Sequence, residues 1–292
     1  MDEANKKISI SVEEFKKFLV FKNTFNSDLM NIESLRSLNT ELIYQQRLNI
    51  CKNKFAKEFA KNHFSQTDED GLTIEIVKRI NDQTEQTFVE FGVGNGLQNN
   101  TLILLSMGWK GSWYGGENLA FNEKLSKRLK FQKRWITLNN IADLYEESLK
   151  VNQVKQHQII SLDLDGNDLF FAEEILKNKA RPNLFICEYN AIFPPTVKWN
   201  MPYNSNQKWE GDQYFGASIA SFVELFEKYD YFLCACNPQT GTNAFFVKSQ
   251  YRDLFPDVPV NIQDIYMSPF YELNNKFSHP VSPKFVESII TN

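Results

Sequence analysis

The stretch Phe88-Val-Glu-Phe-Gly-Val-Gly-Asn-Gly96 constrains the fold more than any other part of the chain. An apolar run that ends in closely spaced glycines is what a buried strand needs to turn sharply towards a helix. Glycine tolerates positive φ there and lets backbone come close to a ligand. In open α/β sheets such turns lie at the C-terminal edge, where nucleotide-like ligands bind. The spacing is G-x-G-x-G, so the third glycine of the dinucleotide pattern is missing. Glu90, just before the glycines, suits a ligand carrying positive charge better than a pyrophosphate. Glu90, Gly92, Gly94, Asn95 and Gly96 are therefore the first candidate binding residues.

Around this turn, buried-type strands alternate with amphipathic helices. The pattern predicts strands over 87–91, 111–114, 135–138, 158–162, 184–188, 231–236 and 243–247. Several are continuous apolar runs, as expected when both faces of a parallel sheet are covered. The last two are separated by six residues, too few for a crossover helix, which predicts an antiparallel hairpin. The fold class is thus α/β and doubly wound, with a mostly parallel seven-stranded sheet ending in that hairpin. Residues 1–64 read as a helical extension, 65–250 as the α/β domain, and 251–292, with Pro256, Pro259, Pro280 and Pro283, as an irregular tail.

Within the extension, Val12, Phe15, Phe18 and Leu19 form one apolar stripe and Ile32, Leu35, Leu38 and Leu42 another. Such stripes need a partner surface, either the main domain or a second copy of the chain in a homodimer. Lys124, Lys127, Arg128, Lys130, Lys133 and Arg134 have helical spacing and read as a solvated helix face. Residues 189–216 carry Pro194, Pro195, Pro202, Trp199, Tyr203, Trp209 and Tyr214 without periodicity. A loop of that length following a strand reads as a substrate lid, or as an Ω-loop whose aromatics pack on one another.

The net charge of −4 gives no global reason to attract nucleic acid. No apolar run approaches the ~18 residues of a membrane span, and the N-terminus lacks the apolar segment of a secretory signal. These features predict a cytoplasmic protein without a membrane partner. Cys51, Cys187, Cys234 and Cys236 sit mostly in apolar strand-like runs, which predicts neither a disulfide nor a zinc site. Of the three histidines, His157 reads as a surface residue and His63 lies upstream of the acidic stretch beginning at Ser65, with nothing in sequence to pair with it.

Carboxylates gather at two predicted strand ends: Asp163, Asp165 and Asp168 at one and Glu188 at the next. Alternation puts Asp163 and Asp165 on one side, and adjacent parallel strands would bring them near Glu188. Such a group can take a proton from a hydroxyl, as Asp165 or Glu188, or hold Mg²⁺ through oxygen ligands. The bland alternative is an Asx turn over Asp165 to Asp168 that caps the following helix.

Several ordered blocks resemble the FkbM-like class I S-adenosylmethionine-dependent methyltransferases. They are Ser65-Gln-Thr-Asp-Glu-Asp-Gly71, the glycine turn, Asn99-Asn-Thr101, Gly108-Trp-Lys-Gly111, Ser161-Leu-Asp-Leu-Asp-Gly-Asn-Asp168, Arg181-Pro182, Cys187-Glu-Tyr-Asn190, Tyr214-Phe-Gly-Ala-Ser218 and Asn243-Ala-Phe-Phe246. The resemblance implies a Rossmann-like fold, S-adenosylmethionine as cofactor and O-methylation of a sugar or natural-product hydroxyl. It implies cofactor contacts from Gln66, Glu90, Gly92, Gly94, Asn95, Gly96, Asn140 and Asp163, and catalytic roles for Asp163, Asp165 and Glu188. Where the family ends its second strand with an acid for the cofactor ribose, this chain has Gly115. Glu117, two residues later, is the expected substitute. Two other readings stay open on the residues alone: a nicotinamide-dependent oxidoreductase, and a non-catalytic Rossmann-like interaction module.

Overall fold

The computed structural model describes residues 12–270, 272–273 and 276–277. The chain divides into two compact units, Met1–Arg47 and Leu48–Asn292. The first is occupied by helix α1 (Val12–Ile50), on which Leu35, Leu38 and Leu42 are exposed. The side chains of Val12, Phe15, Phe18, Leu19 and Ile32 lie outside the described residues. Among the described residues no helix is long and apolar enough to cross a membrane.

The second unit is built on a sheet of seven strands: β1 (Thr87–Phe91), β2 (Lys110–Gly115), β3 (Leu129–Lys133), β4 (Ile159–Leu162), β5 (Leu184–Glu188), β6 (Tyr231–Cys236) and β7 (Asn243–Lys248). Their order is β3-β2-β1-β4-β5-β7-β6. Pairs β1–β2, β1–β4, β2–β3 and β4–β5 are parallel, while β7 runs antiparallel between β5 and β6. This is the Rossmann-like sheet of class I methyltransferases, ending in the antiparallel hairpin. The covering helices are α2 (Lys54–Phe59), α3 (Glu69–Ile80), α4 (Leu102–Ser106), α5 (Ile141–Asn152), α6 (Asp168–Lys177) and α7 (Ile219–Glu227). Strands β1 and β4 are buried at every position, which is why they read as mostly apolar runs broken only by Thr87, Glu90 and Ser161.

Three local expectations fail. The third strand is Leu129–Lys133, and residues 135–138 are irregular. Strand β3 lies at the sheet edge with the burial pattern of a half-covered strand, so it alternates where the apolar run Trp135-Ile-Thr-Leu138 does not. The basic run 124–134 is therefore no helix face; it crosses a short 3₁₀ turn (Glu123–Leu125) and then β3. His157 is buried, with its ring nitrogen Nε2 2.8 Å from the Ser148 hydroxyl. Burial pushes that imidazole down to about 3, so it stays neutral.

The segment read as an irregular tail packs on the sheet as far as Met267, burying Phe255, Val258, Ile265 and Met267 in the same core as Phe55 of α2. Arg79 fixes it by donating to both Asp257 carboxylate oxygens, at 2.6 and 2.8 Å. All four cysteines are buried free thiols.

The acidic start of α3 is tied to the β6–β7 hairpin. Asp68 accepts from Asn237 Nδ2 at 3.0 Å and from the Gln239 amide at 2.9 Å, and Glu69 accepts from Asn243 Nδ2 at 3.0 Å. Asp70 gathers the amides of His63, Phe64 and Ser65, which shapes the loop carrying Gln66. Burial, helped by the Glu69 charge, pushes the Asp68 carboxyl up to about 7. A raised folded-state pKa means that stability is fully present below the ordinary carboxylate range and is lost as pH climbs through 7. The thermal unfolding midpoint is therefore expected to fall between pH 5 and 8, and Asp68→Asn to flatten that slope. An unchanged slope in the variant would refute this.

Candidate active site

Glycine turn and β4 meet so closely that only glycine fits at position 92: a Cβ would run into the Asp163 carbonyl, and φ is +94°. Two hollows open on either side of this contact. The larger, about 510 Å³, is lined by Gly92, Gly94, Glu117, Trp135, Asp163 and Asp165 among others. The smaller, about 160 Å³, is lined by Gln66, Glu90, Asn95, Asn99, Asp163 and Asn243 among others. Both share Gly92, Gly94 and Asp163, so they form one trough across the C-terminal ends of β1 and β4.

Glu90 is buried and already bonded. It accepts from the Asn100 amide at 3.0 Å, the Thr101 amide at 3.2 Å and the Thr101 hydroxyl. The same hydroxyl accepts from Trp113 Nε1 of β2 at 2.8 Å. Burial raises the Glu90 carboxyl, and these donors oppose that shift. Beside it, Asn99 Oδ1 and Asn243 Oδ1 are buried without hydrogen-bond partners. A cavity edged by a carboxylate and two unpartnered acceptors calls for a ligand rich in donors.

Gly115 is accounted for sterically. A Cβ there would sit 3.0 Å from Val93 Cγ2 and 3.3 Å from Val93 N, because the glycine turn crosses directly over the end of β2. Glu117 is exposed and lines the larger hollow together with Gly116. Gly96 does not line either hollow, and Asn140 is engaged elsewhere. The Asn140 side chain accepts from the Thr137 amide and donates to the Trp135 carbonyl, both at 2.9 Å, and so fixes the turn before α5.

The strand-end carboxylates do converge. Asp163, Asp165 and Glu188 each offer an oxygen, and all three lie within 4.8 Å of one another. Asp168 is separate: it folds back to accept from the Leu164 amide at 2.8 Å and the Gly166 amide at 3.1 Å. That turn holds Asp165 at φ +55°, a left-handed conformation that aspartate tolerates and that concentrates at functional sites. Burial raises Asp163, Asp165 and Glu188, and the neighbouring carboxylates raise them further. Glu188 Oε2 is buried without a hydrogen-bond partner. Three crowded carboxylates and an unpartnered oxygen fit a hard divalent cation. His63 is exposed and its amide serves Asp70; it lines neither hollow.

The loop over 189–216 packs on itself and also lines the larger hollow. It has a small core of its own in Phe193, Trp199 and Met201, with Phe193 and Trp199 stacked at 4.7 Å. It also roofs the larger hollow with Ser205, Gln207, Lys208 and Trp209. Trp135 Nε1 donates to the Ser205 carbonyl at 3.1 Å, closing the roof onto the segment after β3. The sequence did not single out Trp135, Gln207, Asn99 or Asn243 as site residues. Only the family blocks Asn99-Asn-Thr101 and Asn243-Ala-Phe-Phe246 carried a signal for the two asparagines.

No protein-family model and no curated protein matches the chain. Among solved structures it is similar to the MycE methyltransferase of the mycinamycin biosynthetic pathway in complex with Mg, SAH and mycinamycin VI. That match has a TM-score of 0.40 and 12% identity, over 72% of this chain and 57% of that one. Two further crystal forms of MycE with Mg and SAH match at a TM-score of 0.36 and 11% identity. They cover 68% and 74% of this chain and 53% and 59% of theirs. The chain thus spans somewhat over half the length of these structures, and the likeness is one of chain course.

Removing the buried Glu90 carboxylate strands two amides and the Thr101 hydroxyl. Glu90→Ala should cost about 2–4 kcal/mol in a urea unfolding titration; a loss under ~1 kcal/mol would show that water replaces it freely. At pH 8, Mg²⁺ or Mn²⁺ should raise the thermal midpoint and Glu188→Gln should abolish that gain. Equal gains in both proteins would place the cation elsewhere.

Proposed function

We propose that this chain is an S-adenosylmethionine-dependent O-methyltransferase of the FkbM-like kind, acting on a hydroxyl of a sugar or another small polyhydroxylated molecule. The observation that carries this reading is the pair of hollows that share Gly92, Gly94 and Asp163: unpartnered acceptors line the smaller, Asp163 and Asp165 line the larger, and Glu188, which lines neither, has an oxygen within 4.8 Å of theirs. Asn99, Asn243 and Glu90 suit the cationic amino end of the cofactor. Glu117 suits its ribose hydroxyls, and Trp135 with Ile136 offers an apolar wall for the base. S-adenosylmethionine, when bound, supplies a methyl group on a positively charged sulfur.

The chain's own part is to align the acceptor and take its proton. Asp165 is the most open of the three carboxylates, and its raised pKa puts it nearer the operating pH as a base. Glu188 and Asp163 stand close enough to share that proton. Mg²⁺, held by Asp163, Asp165 and Glu188, would orient and acidify a coordinated hydroxyl. The larger hollow beneath Gln207, Lys208 and Trp209 is the room available for the acceptor.

The nicotinamide alternative is disfavoured by Glu90. In dinucleotide folds the pyrophosphate rests on the amides that open the first helix. Here the Asn100 and Thr101 amides are taken by the protein's own carboxylate, whose charge would repel a pyrophosphate. Isothermal titration with S-adenosylmethionine and S-adenosylhomocysteine tests the cofactor. Saturable heat with both is expected, and thermal protection by NAD but by neither of these would reverse the assignment. Asp165→Asn should keep cofactor binding while lowering turnover by about 10²-fold or more.

A further inference from the structure

The chain from Gly116 to Arg128 returns from the top of β2 to the bottom of β3 without the α-helix that usually makes such a crossover. It lies against the glycine turn: the Ala120 amide donates to the Asn95 carbonyl at 2.9 Å, and Phe121 meets Trp113 edge-on. Its outer side is apolar at the tip. Leu125 is 85% exposed, and Phe121 and the neighbouring Leu97 are exposed as well. The same stretch carries the exposed cations Lys124, Lys127, Lys133 and Arg134; Lys133 also donates to Asn118. None of the four takes part in an ion pair among the described residues. Residues 117–134 hold six cations against the carboxylates of Glu117 and Glu123, a net +4 in a chain whose net charge is −4.

We infer that this crossover is a docking surface for an anionic lipid bilayer, with Leu97, Phe121 and Leu125 entering the headgroup region and the lysines and Arg134 meeting lipid phosphates. Net charge alone predicts no such partner; the asymmetry of its distribution does. Exposed apolar side chains on a crossover that also carries exposed cations match a surface with an apolar interior and an anionic skin. Nucleic acid would use the cations but would leave Leu125 unrewarded. A second copy seated on the same face would set lysines against lysines, since a two-fold contact pairs a patch with itself. Arg134 belongs both to this patch and to the wall of the larger hollow, so a docked molecule would hold its trough beside the membrane surface.

The inference does not depend on the cofactor, because docking is measured without one. In flotation with vesicles of phosphatidylcholine alone, or mixed with phosphatidylglycerol, the bound fraction should rise at least ~tenfold on the anionic vesicles and fall with added salt. Lys124→Glu combined with Lys127→Glu should reverse that gain, and Leu125→Ser should lower binding ~fivefold or more. Both variants should keep the wild-type thermal midpoint, since these side chains are exposed. Equal binding to both vesicle types would overturn the inference. So would loss of binding in the lysine variant with none in Leu125→Ser, which would mark a surface for soluble polyanions.

Discussion

A buried carboxylate with neutral partners holds the glycine turn in place. Glu90 leaves β1, binds the amides that open α4 and shares the Thr101 hydroxyl with Trp113 of β2. Asn100 extends the network to the Ser161 hydroxyl of β4 at 3.2 Å. Three neighbouring strands and the first helix after the turn therefore meet at one side chain. Because no cation balances it, the carboxylate depends on every donor being present, and its geometry is correspondingly fixed. The same arrangement takes up the amides that open α4 from within the protein.

Further along the C-terminal edge of the sheet, negative charge accumulates without compensation. Asp163, Asp165 and Glu188 crowd together while Asp168 shapes the turn that presents them. Burial raises all three converging groups and nearby carboxylates, Glu117 among them, raise them further. A second acidic knot, Asp68 to Asp70, is different in kind. Its oxygens are mostly met by amide and side-chain donors, and it serves to pin the Gln66 loop against the β6–β7 hairpin. Acidic residues of one chain thus do two jobs, and hydrogen-bond supply separates them.

Strands buried on both faces were legible: β1, β5 and β6 fall on the residues the pattern marks, and β6 does so although it ends the sheet, because it is buried at nearly every position. The opposite edge, β3, was not legible. Leu129–Lys133 is covered on one side only and interrupted by lysines, whereas the unbroken run after it is apolar because it walls a cleft. His157, set among polar residues, gave no sign that its ring packs against Tyr145 and bonds Ser148 inside the domain. At the site, carboxylates at strand ends could be placed from period and register alone. Asn99 and Asn243 could not, since an asparagine becomes informative only when its environment leaves an oxygen without a partner. Gly115 shows the limit from the other side: a missing acid reads as a defect in sequence, while the fold shows Val93 passing close above it, so that a side chain there would be tightly packed.

The roof of the trough joins these parts. Asn190 is fully buried and donates to the carbonyls of Gln213 and Phe215, both at 2.9 Å, so the two ends of the long loop are held together at its base. Asn167, at the start of α6, donates to the Asn204 carbonyl at 2.8 Å and ties the middle of the loop to the turn that presents Asp165. With its own stacked core, the loop is anchored at its root and, through the adjacent residues Asn204 and Ser205, beside the larger hollow. This anchoring places Gln207, Lys208 and Trp209 along the wall of the same hollow that Asp163 and Asp165 line, and so fixes the loop relative to the strand ends.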